Sequence, residues 1–289
     1  MKLVTQKTKG MCRYVRTILM LGALLVITAG HSSAQCSDPS KHFRGGVWKQ
    51  WIFWTQPGPT ALAAVQRIEA EVNQARAAAT LPLLVFDPSE PLVISVIEEN
   101  NPRGPDGRNL SNPLPNQEIF FATFAEVETG GEVVLFLADP LRSNAALTAK
   151  GVPGAPAVFE RTMKFALEGS NTEVSTKWVA SNATDEVKFS AEYPSAAITF
   201  RSRFPGTNTY LNCNIGHSND VIYRSLPTQT FALFDRTQSN FILDLARPDV
   251  NVGLKVSHHD ADINAMFNDP ANQPLALFEL DRVVRFERP

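Results

Sequence analysis

The chain has 289 residues, 27 lysines and arginines, 29 aspartates and glutamates, and 44% hydrophobic residues, a composition typical of a globular protein and not of a disordered one. Five of the 27 basic residues and none of the acidic ones lie in residues 1–34, so residues 35–289 carry 22 − 29 = −7. This acidic balance argues against nucleic acid and anionic membranes as partners.

The N-terminal segment has the features of an export signal. Basic residues precede an apolar run of 12 residues, 18–29, which is shorter than the roughly 20 that a membrane-spanning helix needs and fits a signal core of about 7 to 15. Ser32-Ser33-Ala34 then supplies small side chains. We expect a signal peptide over residues 1–34, cleavage after Ala34, and a secreted or periplasmic protein with no membrane attachment. An uncleaved anchor is the alternative.

Cys36 and Cys213 are the only cysteines of residues 35–289. In an oxidising compartment this pair is a candidate disulfide between the N-terminal arm and a strand, and two separate thiols are the alternative. Asn109-Leu110-Ser111 and Asn182-Ala183-Thr184 match the glycosylation pattern, which matters only in a eukaryotic host.

Residues 60–79 are predicted to form an amphipathic helix. Leu62, Val65, Ile68 and Val72 recur at three- and four-residue spacing. Prolines precede the segment, and Thr60 is the predicted N-cap.

Nearly everything after this helix is predicted to be β-strand, because the segments are rich in β-branched and aromatic residues and are separated by turn residues. They are residues 81–86, 92–97, 118–127, 132–137, 157–167, 172–180, 186–193, 196–204, 209–215, 228–235, 250–256 and 275–286. Residues 100–116 are predicted to be a long loop that serves as a lid or rim. The pattern indicates one mainly β (α+β) domain over residues 35–289, built as a curled antiparallel sheet or a barrel-like structure.

Trp48, Trp51, Phe53 and Trp54 form an aromatic cluster in the sequence. It fits a stacking platform for a sugar or planar ligand, but we favour a structural role in fastening the N-terminal arm to the sheet. Arg201 and Arg203 also have two possible roles, ligand binding or exposure on the surface. They would bind a carboxylate if the interior is polar, and they face solvent otherwise.

Common motifs for nucleotide chemistry and zinc hydrolysis are absent from the sequence, and we expect neither a cofactor nor a metal. The nearest approach to a metal cluster is His258-His259-Asp260-Ala261-Asp262. Adjacent histidines on a strand point to opposite faces, so a solvated turn or strand end is the expected structure. A metal-assisted hydrolase that uses His258 or His259 and loses activity with chelator is the alternative.

Lys150 lies among small residues, with no other charged residue within seven positions on either side. A buried amine of this kind is a candidate Schiff-base former. Its pKa would have to fall by about 3 units from about 10.4, which corresponds to about 4 kcal/mol and is within the reach of burial. An exposed lysine in a flexible loop is the alternative.

Several short stretches resemble, in the same order, the acetoacetate decarboxylase family. The resemblance implies a curled β structure around an apolar pocket and a β-keto acid decarboxylated through a lysine Schiff base without a cofactor. The stretches are Phe43-Arg44-Gly45, Leu81-Pro82-Leu83, Glu90-Pro91-Leu92-Val93, residues 131–139, Leu147-Thr148-Ala149-Lys150 with Gly151-Val152-Pro153, and Pro227-Thr228 before Leu233-Phe234-Asp235.

In this resemblance Lys150 falls where the family has its Schiff-base lysine. Gly151 stands where decarboxylating members have a second lysine that lowers the pKa of the first. Desolvation or another cation must therefore replace that lysine, and the candidates are Arg142, Lys164 and Lys177. Glu98, Glu99 and Glu118 lie near the positions of the family's pocket glutamates but out of register, and the stretch from Trp48 to Trp54 has no counterpart of the family's pocket arginine.

These observations predict an apolar pocket with Lys150 at its base and a small keto or β-keto acid as substrate. Glu118 or Glu98 would transfer protons and Arg201 would hold the substrate carboxylate. A homo-oligomer is a candidate assembly. The alternative is a non-catalytic exported β protein that binds a small apolar or aromatic ligand or a protein partner.

Overall fold

The structure of the protein is a computed structural model, which describes residues 42–103, 116–144, 153–165, 173–194, 216–244 and 249–287. All of them belong to the unit Cys36–Pro289. The predicted strands 196–204 and 209–215 lie outside the described residues, as do several predicted site residues, namely Lys150, Arg201, Cys36, Cys213 and Asn109.

The described chain is mainly β, as predicted. In chain order the strands are β1 His42–Gln56, β2 Leu84–Val85, β3 Leu92–Arg103, β4 Asn116–Val127, β5 Glu132–Phe136, β6 Leu141–Arg142 and β7 Ala155–Pro156. They continue with β8 Val158–Phe165, β9 Glu173–Ser181, β10 Glu186–Glu192, β11 Gly216–Tyr223, β12 Leu226–Asp244, β13 Asn251–Ser257 and β14 Gln273–Glu287. The helices are α1 Pro59–Ala78 and α2 Ala261–Phe267.

Ten strands form the larger sheet, in the order β3-β1-β14-β12-β11-β5-β4-β6-β7, with β2 beside β4. Strand β3 pairs with β1 on one side and with β4 on the other, so the sheet curls back on itself. Most pairings are antiparallel, as predicted, but β5 with β11 and β6 with β7 are parallel. The smaller sheet is fully antiparallel and runs β13-β10-β9-β8.

The two faces of the larger sheet have different neighbours. One face packs against the smaller sheet and the helices, and its core includes Trp51 and Phe53 together with Trp178 and Phe189 of the smaller sheet. Among the described residues, the other face is buried by side chains of the larger sheet, including Ile97, Phe120 and Tyr223. We call the first the outer face and the second the inner face.

Strand β1 is a central strand rather than the fastened arm that the aromatic cluster suggested. It pairs with β14 and β3 over most of its length. Trp51 and Phe53 are buried on the outer face, whereas Ile52 and Trp54 pack on the inner face. The alternation of a strand explains why the aromatic residues of one short segment belong to two cores. Strand β9 has one buried face, formed by Thr176, Trp178 and Ala180.

Helix α1 matches the predicted helix, but its N-cap is Gly58 and not Thr60. Pro59 occupies the first turn, where a missing N–H costs nothing. The backbone N–H of Ala61 is bound instead by the Asp269 carboxylate of a distant turn, at 3.0 Å. None of the described helices is long and apolar enough to span a membrane.

Helix α2 was missed by the sequence analysis, which expected a turn or strand end at this point. Asp260 is its N-cap, and the side chain accepts the backbone N–H of Asp262 at 2.8 Å. An aspartate that binds the first free N–H groups of a short helix is a common way to begin one.

Candidate functional site

Strand register brings polar side chains together at one end of β3, β4 and β6. Glu99 of β3 lies opposite Asn116 of β4. Glu118 points to the same face as Asn116, because side chains two positions apart share a face of a strand. Arg142 of β6 lies opposite Glu118. We call Glu99, Asn116, Glu118, Arg142 and the neighbouring Asn144 the buried polar cluster.

Hydrogen bonds join the members of this cluster directly. Arg142 donates from Nε to Glu118 Oε1 at 2.7 Å. The Asn116 amide donates to Glu118 Oε1 at 2.7 Å and to Glu99 Oε2 at 3.1 Å. Its Oδ1 accepts the backbone N–H of Asn144 at 3.1 Å. A single asparagine therefore connects two carboxylates and the chain that leaves β6.

The cluster is shielded from solvent. Glu99, Asn116, Glu118 and Arg142 are each 0% exposed. Charged groups in such a place cost several kcal/mol of desolvation, which good ion-pair geometry and hydrogen bonds must offset. Two carboxylates and a guanidinium in a site that excludes water also form the kind of environment that shifts the protonation of a nearby group. These properties make the cluster the best candidate for a functional site among the described residues.

The described residues on both sides of the segment 145–152, to which Lys150 belongs, contact the cluster. Before this segment, Asn144 binds Asn116. After it, Ala155 pairs with Leu141 of β6, and the backbone N–H of Ala157 donates to Arg142 O at 2.8 Å.

Gly154, four residues after Lys150, lies against the Arg142 guanidinium. A Cβ built on this glycine would come within 2.9 Å of Arg142 Cζ and 3.2 Å of the Pro140 carbonyl oxygen. Only a glycine allows the backbone to approach this closely.

An apolar surface extends from the cluster along the inner face. Next to Glu99 on that face of β3 lie Ile97 and Ser95, and Ser95 accepts a hydrogen bond from Gln50 Nε2 at 2.6 Å. Beyond this buried pair the face is hydrophobic, with Val93, Phe120, Ala122, Phe136, Val221, Tyr223, Phe231 and Leu233. The arrangement suits a small molecule that has an apolar part and one polar or charged group.

The structure separates two glutamates that the sequence analysis treated together. Glu118 belongs to the buried polar cluster on the inner face. Glu98 lies on the outer face, where its Oε2 is 3.6 Å from Arg161 Nη1. Of the three cations considered for tuning Lys150, Arg142 is buried in the cluster, while Lys164 and Lys177 are exposed on the smaller sheet.

Sequence reasoning named Arg142 as a candidate cation for tuning the pKa of Lys150 and Glu99 as one of three glutamates near a pocket, and it missed Asn116. Pairing across strands, which a single sequence does not reveal, is what unites them. One signal was available: residues 116 and 118 have the two-residue spacing of one strand face.

His258 and His259 lie beside Asp185, and we call these three residues the histidine–aspartate corner. Ligand atoms of Asp185, His258 and His259 lie within 4.8 Å of one another. His259 Nδ1 is 2.7 Å from Asp185 Oδ1, and the Asp260 backbone N–H donates to His258 Nδ1 at 3.0 Å. Since this bond requires a lone pair on Nδ1, neutral His258 carries its proton on Nε2, which then has no lone pair for a metal ion. The three side chains of the histidine–aspartate corner therefore fit a structural role better than metal binding.

The hydrogen bonds of this corner determine the ionisation of Asp185. Burial by itself would raise the pKa of this carboxyl group. The backbone and side-chain hydrogen bonds from His259, the Thr184 hydroxyl and the charge of His258 outweigh burial and lower the pKa to about 2. Burial also lowers the pKa of His258, which favours the neutral imidazole.

A comparison with solved structures finds a similar backbone in a structure titled "Structural Studies of Acetoacetate Decarboxylase". The two share 7% sequence identity and a TM-score of 0.46, over 85% of this chain and 88% of that chain. No protein-family model matches this chain. No curated protein matches it in sequence either.

Proposed function

We propose that the protein binds a small keto or β-keto acid on the inner face of the curled sheet and forms a Schiff base with it through Lys150. The observation that carries this proposal is the buried polar cluster, because both ends of the segment that contains Lys150 are bound to it. Desolvation is the proposed cause of a lowered pKa of the Lys150 amine, because the charge of Arg142 is already paired with Glu118 at 2.7 Å.

The reaction follows from these groups. The neutral Lys150 amine attacks the keto carbon, and loss of water leaves an iminium ion. Cleavage of the bond to the carboxylate releases CO₂, and its electron pair moves to the iminium nitrogen to form an enamine. Glu118 or Glu99 supplies the proton for the enamine carbon, and hydrolysis then frees the ketone and the lysine. Arg201 is proposed to hold the substrate carboxylate before cleavage.

Borohydride trapping tests the proposal. The purified protein is incubated with acetoacetate and borohydride, digested, and analysed by mass spectrometry. We expect a reduced adduct on Lys150 and none on Lys164, which serves as an internal control because it is exposed on β8. Lys150→Ala should lose both adduct and CO₂ release, and Lys164→Ala should keep both. An adduct that is absent, or equal on the two lysines, would contradict the proposal.

A second candidate function is supported by the apolar character of the inner face. A non-catalytic protein could use the same surface to bind a small apolar or aromatic ligand. In that case Lys150→Ala would leave ligand affinity nearly unchanged, whereas Phe120→Ala would reduce it. Calorimetric titration of both variants with one ligand distinguishes the two functions.

We also propose that the protein is exported and loses residues 1–34. The basic start and the short apolar run support this proposal. Intact-mass measurement of protein from the native host should give a chain that begins at Gln35. The same measurement with and without reductant tests a disulfide between Cys36 and Cys213, since a disulfide lowers the mass by two hydrogens.

A further inference from the structure

Strand β8 forms one edge of the smaller sheet. It pairs with β9 on one side, and no described strand pairs with its other side. It has 8 residues, Val158–Phe165, whereas a typical strand has about 5–6. The free side of an edge strand presents backbone N–H and C=O groups that can pair with another strand. Strand β8 is therefore a candidate surface for the addition of a strand.

Exposed hydrophobic residues distinguish β8 from the other edge of the same sheet. Three large hydrophobic side chains are exposed among the described residues, and two of them, Val158 at 68% and Met163 at 41%, belong to β8. The other edge strand, β13, has none. Val158 and Met163 point to opposite faces of β8, because an odd number of positions separates them. A strand added to β8 would shield both of them.

The exposed face of β8 carries two charges that are not used within the described part of the chain. Glu160 and Lys164 are both exposed, and they share this face with Thr162, which lies midway between them. Neither side chain makes an ion pair or a hydrogen bond with another described residue. Their neighbours on β9 are uncharged, namely Val179 beside Glu160 and Ser175 beside Lys164.

The order of residues along β8 is self-complementary in one antiparallel register. When two copies of β8 pair about a two-fold axis at Thr162, Glu160 of each copy lies directly opposite Lys164 of the other. Side chains in such positions have Cβ atoms about 5 Å apart, and opposite charges there attract. The symmetry makes this contact twice. The same register places Met163 opposite Arg161 and keeps the two Arg161 side chains apart.

Several other registers are less favourable for two copies. An axis at Arg161 would place the two Arg161 side chains opposite each other, and an axis at Glu160 or Lys164 would do the same for two glutamates or two lysines. Like charges in directly opposite positions are destabilising. Lys177, beside Thr162 on β9, is one strand further from the second copy, at roughly 10 Å, where solvent and salt weaken its effect. The charges therefore favour the register centred on Thr162.

We propose that two copies of this chain associate through their β8 strands, paired antiparallel about a two-fold axis at Thr162, so that the two smaller sheets become one continuous sheet. Two-fold pairing uses both free edges and closes the assembly, as in most homo-oligomers. One strand from each copy gives an interface at the small end of the specific range, so we expect a dimer that dissociates at micromolar concentrations. The proposal does not depend on the chemistry proposed for Lys150.

Sedimentation equilibrium over a range of protein concentrations tests the association. We expect the mean mass of the purified protein to rise from one chain towards two, with no larger species. Glu160→Lys places like charges opposite each other at both symmetric contacts, and it should raise the dissociation constant about tenfold or more. Lys164→Glu should do the same. A mass of one chain at every concentration would overturn the proposal and would leave the edge for a strand of a different protein.

An exchange of the two charges tests the register. The double variant Glu160→Lys/Lys164→Glu again has opposite charges in opposite positions, and it should associate nearly as well as wild type. Lys255→Glu is the matched control, because it makes the same change of charge at an exposed position of β13, and it should leave the dissociation constant unchanged. Circular dichroism checks that each variant is folded. A double variant that associates as poorly as the single variants, or an equal loss in Lys255→Glu, would overturn the proposal.

Thiol cross-linking of Thr162→Cys tests the position of the axis. The axis brings the two copies of residue 162 together, with Cβ atoms about 5 Å apart, so a short bis-maleimide should join two chains there. Mass spectrometry of the digested product identifies the linked peptide and distinguishes it from links through the other cysteines. Lys255→Cys is the control and should give no such link. No link at residue 162, or equal yields at residues 162 and 255, would overturn the proposal.

Discussion

At the scale of single residues, burial decides what an ion pair contributes. Arg142 and Glu118 are 2.7 Å apart and both are 0% exposed. Arg67 and Asp262 are even closer, at 2.6 Å, but are 56% and 22% exposed. Breaking a buried pair leaves a charge without water, whereas breaking an exposed pair lets solvent replace the partner.

We therefore predict that Arg142→Met destabilises the protein by about 3–5 kcal/mol. The matched exposed change, Arg67→Met, should cost less than about 1 kcal/mol. The free energy of unfolding from denaturant titration measures both. The double variant Glu118→Gln/Arg142→Met should recover part of the loss, because it no longer buries an unpaired carboxylate. Equal effects of the two single variants would contradict this interpretation.

Asp185 leads to a prediction about pH. Its folded pKa of about 2 lies below the ordinary value of 3.8, so the folded state binds the proton less tightly than the unfolded state. The stabilisation is complete above about pH 4 and is lost as pH falls towards 2. Its size is about 2 kcal/mol.

Asp185→Asn removes the titrating group and isolates this contribution. The difference in unfolding free energy between wild type and Asp185→Asn should be constant from pH 5 to 7 and should shrink between about pH 4 and pH 2. Chemical denaturation at each pH measures it. A difference that grows as pH falls would have the wrong sign for a lowered pKa.

At the scale of elements, the start of α1 depends on a tight contact with the turn before β14. The backbone N–H of Gly58 donates to Asn272 Oδ1 at 2.8 Å, and Asp269 binds the N–H of Ala61. A Cβ on Gly58 would come within 2.6 Å of Asp269 Oδ2 and 2.7 Å of Ala271 Cβ. The φ angle of Gly58 is −79°, which any residue adopts, so space and not backbone strain requires a glycine here.

We predict that Gly58→Ala destabilises the protein by about 1–3 kcal/mol, because the helix start must move away from the turn. Gly253→Ala is the matched control. Its Cβ would meet only Ser190 Oγ, at 2.8 Å, and a hydroxyl can rotate away. The control should cost less than about 1 kcal/mol in denaturant unfolding. A larger effect at Gly253 than at Gly58 would show that the contact at the helix start is not rigid.

At the scale of the whole molecule, the core between the two sheets holds the fold together. Phe53 of the larger sheet and Phe189 of the smaller sheet contact each other, with ring centroids 5.4 Å apart, and both are buried. Trp51 and Trp178 make a second contact of the same kind. Large aromatic residues dominate the energy of such a core because each buries on the order of 200 Å².

Phe53→Ala should therefore lower the free energy of unfolding by about 3–5 kcal/mol. Val158→Ala, on an exposed position of β8, should change it by less than about 0.5 kcal/mol. If the two sheets unfold together, far-ultraviolet circular dichroism and tryptophan fluorescence will give one coincident transition in both proteins. Two separate transitions in Phe53→Ala would mean that the sheets unfold independently.

Periodic patterns predicted several elements closely, including their ends, and missed others. Helix α1 and strands β4, β8, β9, β10 and β14 agree with the predictions to within one to two residues at each end, because alternation and three- or four-residue spacing are local properties. Strand β1 was missed although it is central, since aromatic residues alternate there between two buried faces and leave no polar side to recognise. Helix α2 was missed because seven residues, about two turns, after an aspartate cap have too little periodicity to detect.

The local order of residues was enough to predict a mainly β chain with one long amphipathic helix, and the resemblance of short stretches to a known family singled out Glu118 and Arg142. Which of these charges meet was decided by tertiary structure. Glu98 and Glu99 are neighbours in sequence, yet one contacts Arg161 on the outer face and the other binds Asn116 on the inner face. The physical reason is that adjacent side chains of a strand point to opposite faces of the sheet. The residues that each one contacts there belong to strands that are distant in the chain.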